Sequence, residues 1–148
     1  MIAALALAAT QATTPVAWVA VGDGIPEPLG GLQGDATRGA ALVADRGKSL
    51  CLLCHQAAVQ GPHAPAALQG TVSTDLRGAG SRWSRAQLRL RVAHSRHLNP
   101  ASPMPTMHPA RPDAAAEARA RVPAALQGRP VLSAQELEDI VAWLETQR

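Results

Sequence analysis

The stretch Cys51-Leu52-Leu53-Cys54-His55 decides how this chain is to be read. Two thiols three positions apart, with a histidine directly after the second, form the arrangement that attaches a haem. The thiols add across the porphyrin vinyl groups, and one turn of helix brings Cys51 and Cys54 to the same face. His55 then lies under the iron, ligating through a neutral imidazole whose other ring nitrogen bonds a backbone carbonyl and so fixes the tautomer. Cys-x-x-Cys also serves zinc and thioredoxin-type dithiols. A tetrahedral zinc site wants two ligand pairs, whereas only scattered histidines remain here, and a thioredoxin motif wants a βαβ context that the pattern lacks. Both cysteines are consumed by the haem, so no structural disulfide is expected.

The composition agrees with a large apolar group that is not coded in the sequence. The chain has 148 residues, enough for one domain with a core, yet Phe and Tyr are absent and Trp18, Trp83 and Trp143 are its aromatics. A macrocycle supplies the flat apolar surface that such a core lacks. The 14 Lys and Arg stand against 11 Asp and Glu, and the Arg residues are spread along the second half. Nucleic-acid binding would want a concentrated basic stripe with stacking aromatics, so a solvated or protein-docking face is the better reading.

On the amino-terminal side of the motif, Asp35 is a good N-cap. Thr37 to Arg46 then reads as a first helix with Gly39, Leu42 and Val43 on one face and Gly47 as its stop. Residues 13–34, rich in Pro and Gly, read as an extended arm. Residues 1–12 are apolar and Ala-rich, end in small residues and resemble a secretory signal too short to span a membrane. That implies export, which also suits haem attachment to thiols on the periplasmic side.

On the carboxyl-terminal side, residues 56–80 read as loop. Ser84 with Gln87 makes a capping box that opens a middle helix to about His97, with Arg85, Arg89 and Arg96 on its exposed side. Pro100, Pro103, Pro105, Pro109 and Pro112 then forbid helix, and Asp113 to Arg121 reads as a short Ala-rich helix. Ser133 with Glu136 is a second capping box, followed by Leu137, Ile140, Val141 and Leu144 at i, i+3, i+4, i+7. This terminal helix should pack on the first, with Trp143 lying across Gly39. The whole is a small all-α fold. The second axial ligand must come from far along the chain, and the candidates are Met104, Met107, His63, His94, His97 and His108. Met104 is held between two prolines, Met107 and His108 lie one turn further on at a spacing that also allows ligation, and His94, His97 and His63 read individually as exposed polar side chains. Full coordination favours electron transfer over substrate chemistry at the iron.

From about Gly34 to its end, the chain resembles the SoxX family, the monohaem c-type cytochrome subunits of the sulfur-oxidising SoxAX complex. The resemblance is carried by Gly34-Asp-Ala-Thr-Arg-Gly39, Asp45-Arg-Gly-Lys48 leading into the haem motif, Asp75-Leu-Arg-Gly-Ala-Gly-Ser-Arg82, and Gln87-Leu-Arg-Leu-Arg-Val92. Asn99-Pro100, Met104-Pro105 and the run from Gly128 to Trp143 complete it. It implies a class I cytochrome c-like fold over residues 35–148, with N- and C-terminal helices packed around one covalently bound haem c. It also implies Met104 as the distal ligand. The family's Pro carbonyl for the proximal histidine is replaced by that of Thr74. Thr106-Met107-His108 stands where an aromatic-containing run is usual, which leaves Met107 or His108 as substitutes for Met104.

By the same resemblance, the partner is a SoxA-like cytochrome subunit holding the catalytic centre, where thiosulfate is coupled oxidatively to a cysteine of the carrier SoxYZ. This chain would be the non-catalytic subunit of that L-cysteine S-thiosulfotransferase, accepting the electrons and passing them to an acceptor cytochrome in the periplasm. Two other functions stand beside it, a free-standing monohaem carrier and a haem-based small-molecule sensor. The arm argues mildly against a free carrier, because a Pro/Gly-rich arm of about twenty residues has little reason to be retained unless it wraps a partner or is disordered.

Overall fold

The computed structural model describes residues 15–59, 64–110 and 129–148. The amino-terminal segment read as a signal, His63 and the helix expected over Asp113 to Arg121 lie outside the described residues. Within them the chain folds into four α-helices with short 3₁₀ turns between them and no β-sheet, the all-α architecture expected from the sequence.

Helix α1 (Ala36–Ala44) starts where the Asp35 carboxylate accepts the Arg38 backbone N–H at 2.8 Å. It ends two residues before the expected Arg46, because Asp45 rather than Gly47 closes it. The Asp45 carboxylate accepts the N–H groups of Gly47 and Lys48 at 2.9 and 3.1 Å, a local bond that outcompetes another helical turn. Helix α2 (Ala79–Arg82) is a single turn that the hydrophobic pattern did not announce. Helix α3 (Arg85–His94) and helix α4 (Ala134–Thr146) both open on complete capping boxes, Ser84 with Gln87 and Ser133 with Glu136. A 3₁₀ turn, Ser95–His97, extends α3 to the end expected for the middle helix.

The helix pair α1–α4 is the main packing unit, with α3 laid against α4. Leu137, Ile140, Val141 and Leu144 are all buried, as their spacing requires. The two helices cross at Gly39, where a Cβ would lie 2.0 Å from the Asp139 carbonyl oxygen and 2.8 Å from the Trp143 Cβ. Only glycine permits that approach, which brings Val43 of α1 and Ile140 and Leu144 of α4 to one wall of the central cleft.

One charged residue overturns the expected face of its helix. Arg89 was placed on the exposed side of its helix, yet its side chain is 4 % exposed and pairs with Glu138, itself 3 % exposed, with Nε 2.9 Å from both carboxylate oxygens. The reason is the amino-terminal arm. Ile25 and Leu29 are buried, Ile25 N–H donates to the Ala86 carbonyl at 2.9 Å, and the arm covers this side of α3. Arg89 donates to the Pro26 carbonyl at 3.0 Å, and Glu138 accepts the Leu29 N–H at 3.0 Å. Burying each aliphatic side chain contributes about 1.5–3 kcal/mol, which offsets the entropy lost on ordering the arm. Over its described residues the arm is thus bound to the body of its own chain.

Candidate haem cleft

The motif folds as a 3₁₀ turn, Cys51–Leu53, after Leu50 takes a left-handed backbone at φ 61°. His55 N–H donates to the Cys51 carbonyl at 3.0 Å, completing the turn of helix that the spacing required. Leu52 is fully buried as the anchor of the turn, and Cys51, Cys54 and His55 all line one cleft. Cys54 is the more exposed of the two thiols. Burial pushes the Cys51 thiol above its ordinary range, partly offset by its hydrogen bond with Ser49.

A second strip of chain fixes the histidine. Gly70 N–H donates to the Leu52 carbonyl, Ser73 N–H to Cys54 and Leu76 N–H to Gln56, at 2.9, 3.0 and 2.8 Å, so residues 70–76 run alongside the motif. Gly70 lies so close that a Cβ would stand 2.1 Å from the Leu53 carbonyl oxygen. This alignment sets the Thr74 carbonyl 2.5 Å from His55 Nδ1. A carbonyl only accepts, so Nδ1 carries the proton and Nε2 keeps its lone pair for an electrophile. The Asp75 carboxylate, held below its usual range by the Arg77 guanidinium, and Arg82, donating to the carbonyls of Asp75 and Arg77, stiffen the strip beyond Thr74.

Met104 lines both lobes of the cleft, of about 200 Å³ and about 310 Å³, which share His55, Ser73, Leu76, Val92, Met104 and Leu144. One lobe is walled by aliphatic side chains and the two cysteines; the other ends in polar groups, among them Arg91, Asn99 and Ser102. Met104 is placed by short bonds: its N–H donates to Ser102 Oγ at 3.3 Å, Ser102 Oγ lies 3.0 Å from Ser95 Oγ, and Arg96 caps the Ser102 carbonyl. Sequence reading missed Ser95 and Ser102, because a serine beside prolines carries no signal of a partner seven residues away. It also missed Trp83, which lines the polar lobe and has the guanidinium carbons of Arg82 and Arg91 at 4.9 and 4.8 Å from its ring centroid.

The remaining candidates separate clearly. Met107 is buried and lines the aliphatic lobe. His108 lies outside the residues lining either lobe, fully buried, with its ring nitrogens 2.8 Å from the Leu132 carbonyl and 3.0 Å from the Val16 N–H. Both of its ring nitrogens are thus engaged with backbone groups. His97 is exposed on the 3₁₀ turn, and His94 meets Trp18 edge-on at 6.4 Å. Among the described residues no group of three or more His, Cys, Asp or Glu is placed to hold a metal ion.

The donor chemistry of the cleft fits a covalently held haem: two thiols at one rim, an imidazole with a free lone pair and a thioether, between apolar walls. By sequence, none of the curated proteins matches this chain. Among solved structures, the crystal structure of SoxXA from P. pantotrophus contains a similar chain, with a TM-score of 0.72 and 28% identity over 90% of this chain and 98% of that one. This agrees with the resemblance to SoxX carried by the sequence. The profile of the cytochrome c family matches residues 36–148. With haem c as its implied cofactor and Cys51 and Cys54 fitting the attachment motif, the chain belongs to the cytochrome c family.

Proposed function

We propose that this chain is the electron-transfer subunit of a SoxAX-type complex, with a haem c held between His55 and Met104. The observation that carries the ligand assignment is that both side chains border both lobes of one cleft, with Cys51 and Cys54 on its rim. Cys51 and Cys54 bind the group covalently, and His55, oriented by the Thr74 carbonyl, offers Nε2. Met104 offers its thioether, and the aliphatic wall of Val43, Ile140 and Leu144 excludes water. When bound, the haem supplies a one-electron Fe(III)/Fe(II) couple. Ligation by methionine on one side favours the reduced state and raises the potential relative to two histidines.

The wider role rests on likeness to SoxXA. A SoxA-like subunit would carry out the coupling of thiosulfate to the SoxYZ cysteine. This chain would take up the electrons released and pass them to an acceptor cytochrome in the periplasm. Among the described residues, no helix is long and apolar enough to cross a membrane, which is compatible with that location. The folded-back arm lends this reading no support of its own, because Arg89 and Glu138 already account for where the arm lies.

The test is co-purification. The chain is expressed with its leader and neighbouring genes in a bacterium able to mature c-type cytochromes, tagged at Arg148 and captured, and the gel is stained for haem. A second haem-bearing polypeptide in stoichiometric yield supports the complex and leads to a thiosulfate-coupling assay. A lone monomeric haem protein refutes it and leaves a free electron carrier.

A further inference from the structure

His108 is fully buried four residues beyond Met104, outside the cleft, and joins three distant parts of the chain. Its Nδ1 lies 2.8 Å from the Leu132 carbonyl, just before α4, and therefore carries the proton. In that tautomer Nε2 is an acceptor, and the Val16 N–H of the arm donates to it at 3.0 Å; the Val16 carbonyl stands nearby at 3.2 Å. The His108 carbonyl accepts the Trp18 indole N–H at 3.1 Å. Around these contacts the loop is tied down through its backbone. Met107 and His108 N–H both donate to the Ala93 carbonyl, at 3.0 and 3.1 Å, and Leu132 N–H donates to the Met107 carbonyl at 3.0 Å.

We propose that His108 is a positioning residue for the axial methionine, clamping the loop that carries Met104 between the amino-terminal arm and the segment that enters α4. The proposal rests on the reading of Met104 as the distal ligand. Residues 99–109 include Pro100, Pro103, Pro105 and Pro109, which have no N–H to donate, so this loop builds no ladder of its own and is held by its ends. The upstream end is fixed by Ser95 and Ser102, and the downstream end by His108. An apolar side chain of similar size would fill the space and leave the Val16 N–H and the Leu132 carbonyl without this partner. Without the His108 side chain that end is held only by the backbone bonds to Ala93 and Leu132, a looser hold that lets the thioether of Met104 drift and opens the sixth position to outside ligands. The arm thereby acquires a role: Val16 and Trp18, about ninety positions away in sequence, help to hold that position closed.

The test uses the haem-loaded full chain and imidazole as the competing ligand, with binding followed by the Soret shift of the ferric protein well below its melting temperature. The methionine–iron charge-transfer band is recorded alongside. H108A is expected to bind imidazole about tenfold more tightly than wild type, a difference of about 1.4 kcal/mol, and to weaken the band. W18F, which removes the indole donor while keeping an aromatic ring, should shift affinity a few-fold in the same direction and carries the test if H108A fails to fold. H97A, at an exposed histidine, serves as the control and should behave as wild type. If H108A and W18F lower the melting temperature but leave imidazole affinity and the band unchanged, His108 is merely a core histidine and the clamp is refuted. M104A separates the two readings. If M104A opens the site while H108A and W18F do not, the ligand assignment stands and the clamp alone falls. If wild type lacks the band and M104A binds no better than wild type, the ligand assignment has failed and the clamp falls with it.

Discussion

Replacing Gly39 by alanine sets two physical expectations against each other. Seen as a position in an isolated helix, the change should stabilise α1 by about 0.8–1.0 kcal/mol, because glycine is a poor helix former. In the folded protein the new Cβ would stand 2.0 Å from the Asp139 carbonyl oxygen, 2.6 Å from its carbon and 2.8 Å from the Trp143 Cβ. The nearest obstacle is backbone of α4, which no rotamer change removes, so the helices must separate until that gap opens to at least 3.4 Å. Overpacking of a close-packed site costs about 1–3 kcal/mol, and more where backbone has to move. A net loss of about 3 kcal/mol is therefore expected, a drop in melting temperature of about 10 °C for a domain of this size. Because Val43, Ile140 and Leu144 sit on the same crossing and line the cleft, the Soret spectrum should also shift. The assay is urea unfolding of the haem-loaded protein followed by far-UV circular dichroism. Gly47→Ala is the control, since its Cβ would meet only the Asp45 carboxylate at 3.4 Å. A Gly39→Ala protein as stable as wild type or more so would show that the helices do not cross as described.

Three further expectations test other parts of the molecule. Removing one partner of the buried Arg89–Glu138 pair, by Arg89→Ala or Glu138→Ala, should cost about 3–5 kcal/mol, because the other charge is left buried; replacing both by methionine and leucine should cost less than either single change. Although burial pushes its pKa up, the Asp139 carboxyl is held below its ordinary value by hydrogen bonds from Arg38, the Asp35 backbone N–H and Gln135. A depressed carboxylate contributes stability that is full above its unfolded pKa of about 3.9 and is lost as pH falls through the lower folded value. Acid titrations of stability should therefore be shallower in Asp139→Asn than in wild type, and parallel curves would refute the assignment. Met104→Ala should keep the covalent haem while losing the methionine–iron absorption band, whereas Met107→Ala should keep both; the opposite pattern moves the ligand to Met107.

What the sequence determined by itself was local. Cys51, Cys54 and His55 specify their chemistry by spacing alone, and Asp35, Ser84 and Ser133 begin helices because each capping bond closes within three residues. The apolar stripe of α4 was equally legible, since a period of 3.6 needs no knowledge of the partner. Even the crossing at Gly39 followed from the missing side chain. Tertiary structure alone decided the positions whose meaning depends on a distant group. Arg89 reads as solvent-facing until the arm, more than sixty positions earlier, supplies the carbonyls of Ile25 and Pro26 and α4 supplies Glu138. The burial of His108 and the contacts of its ring with Leu132 and Val16, from segments far apart in sequence, were equally beyond the reach of local pattern. A polar side chain is buried only where its hydrogen bonds are satisfied, and those partners are set by how the chain folds back on itself.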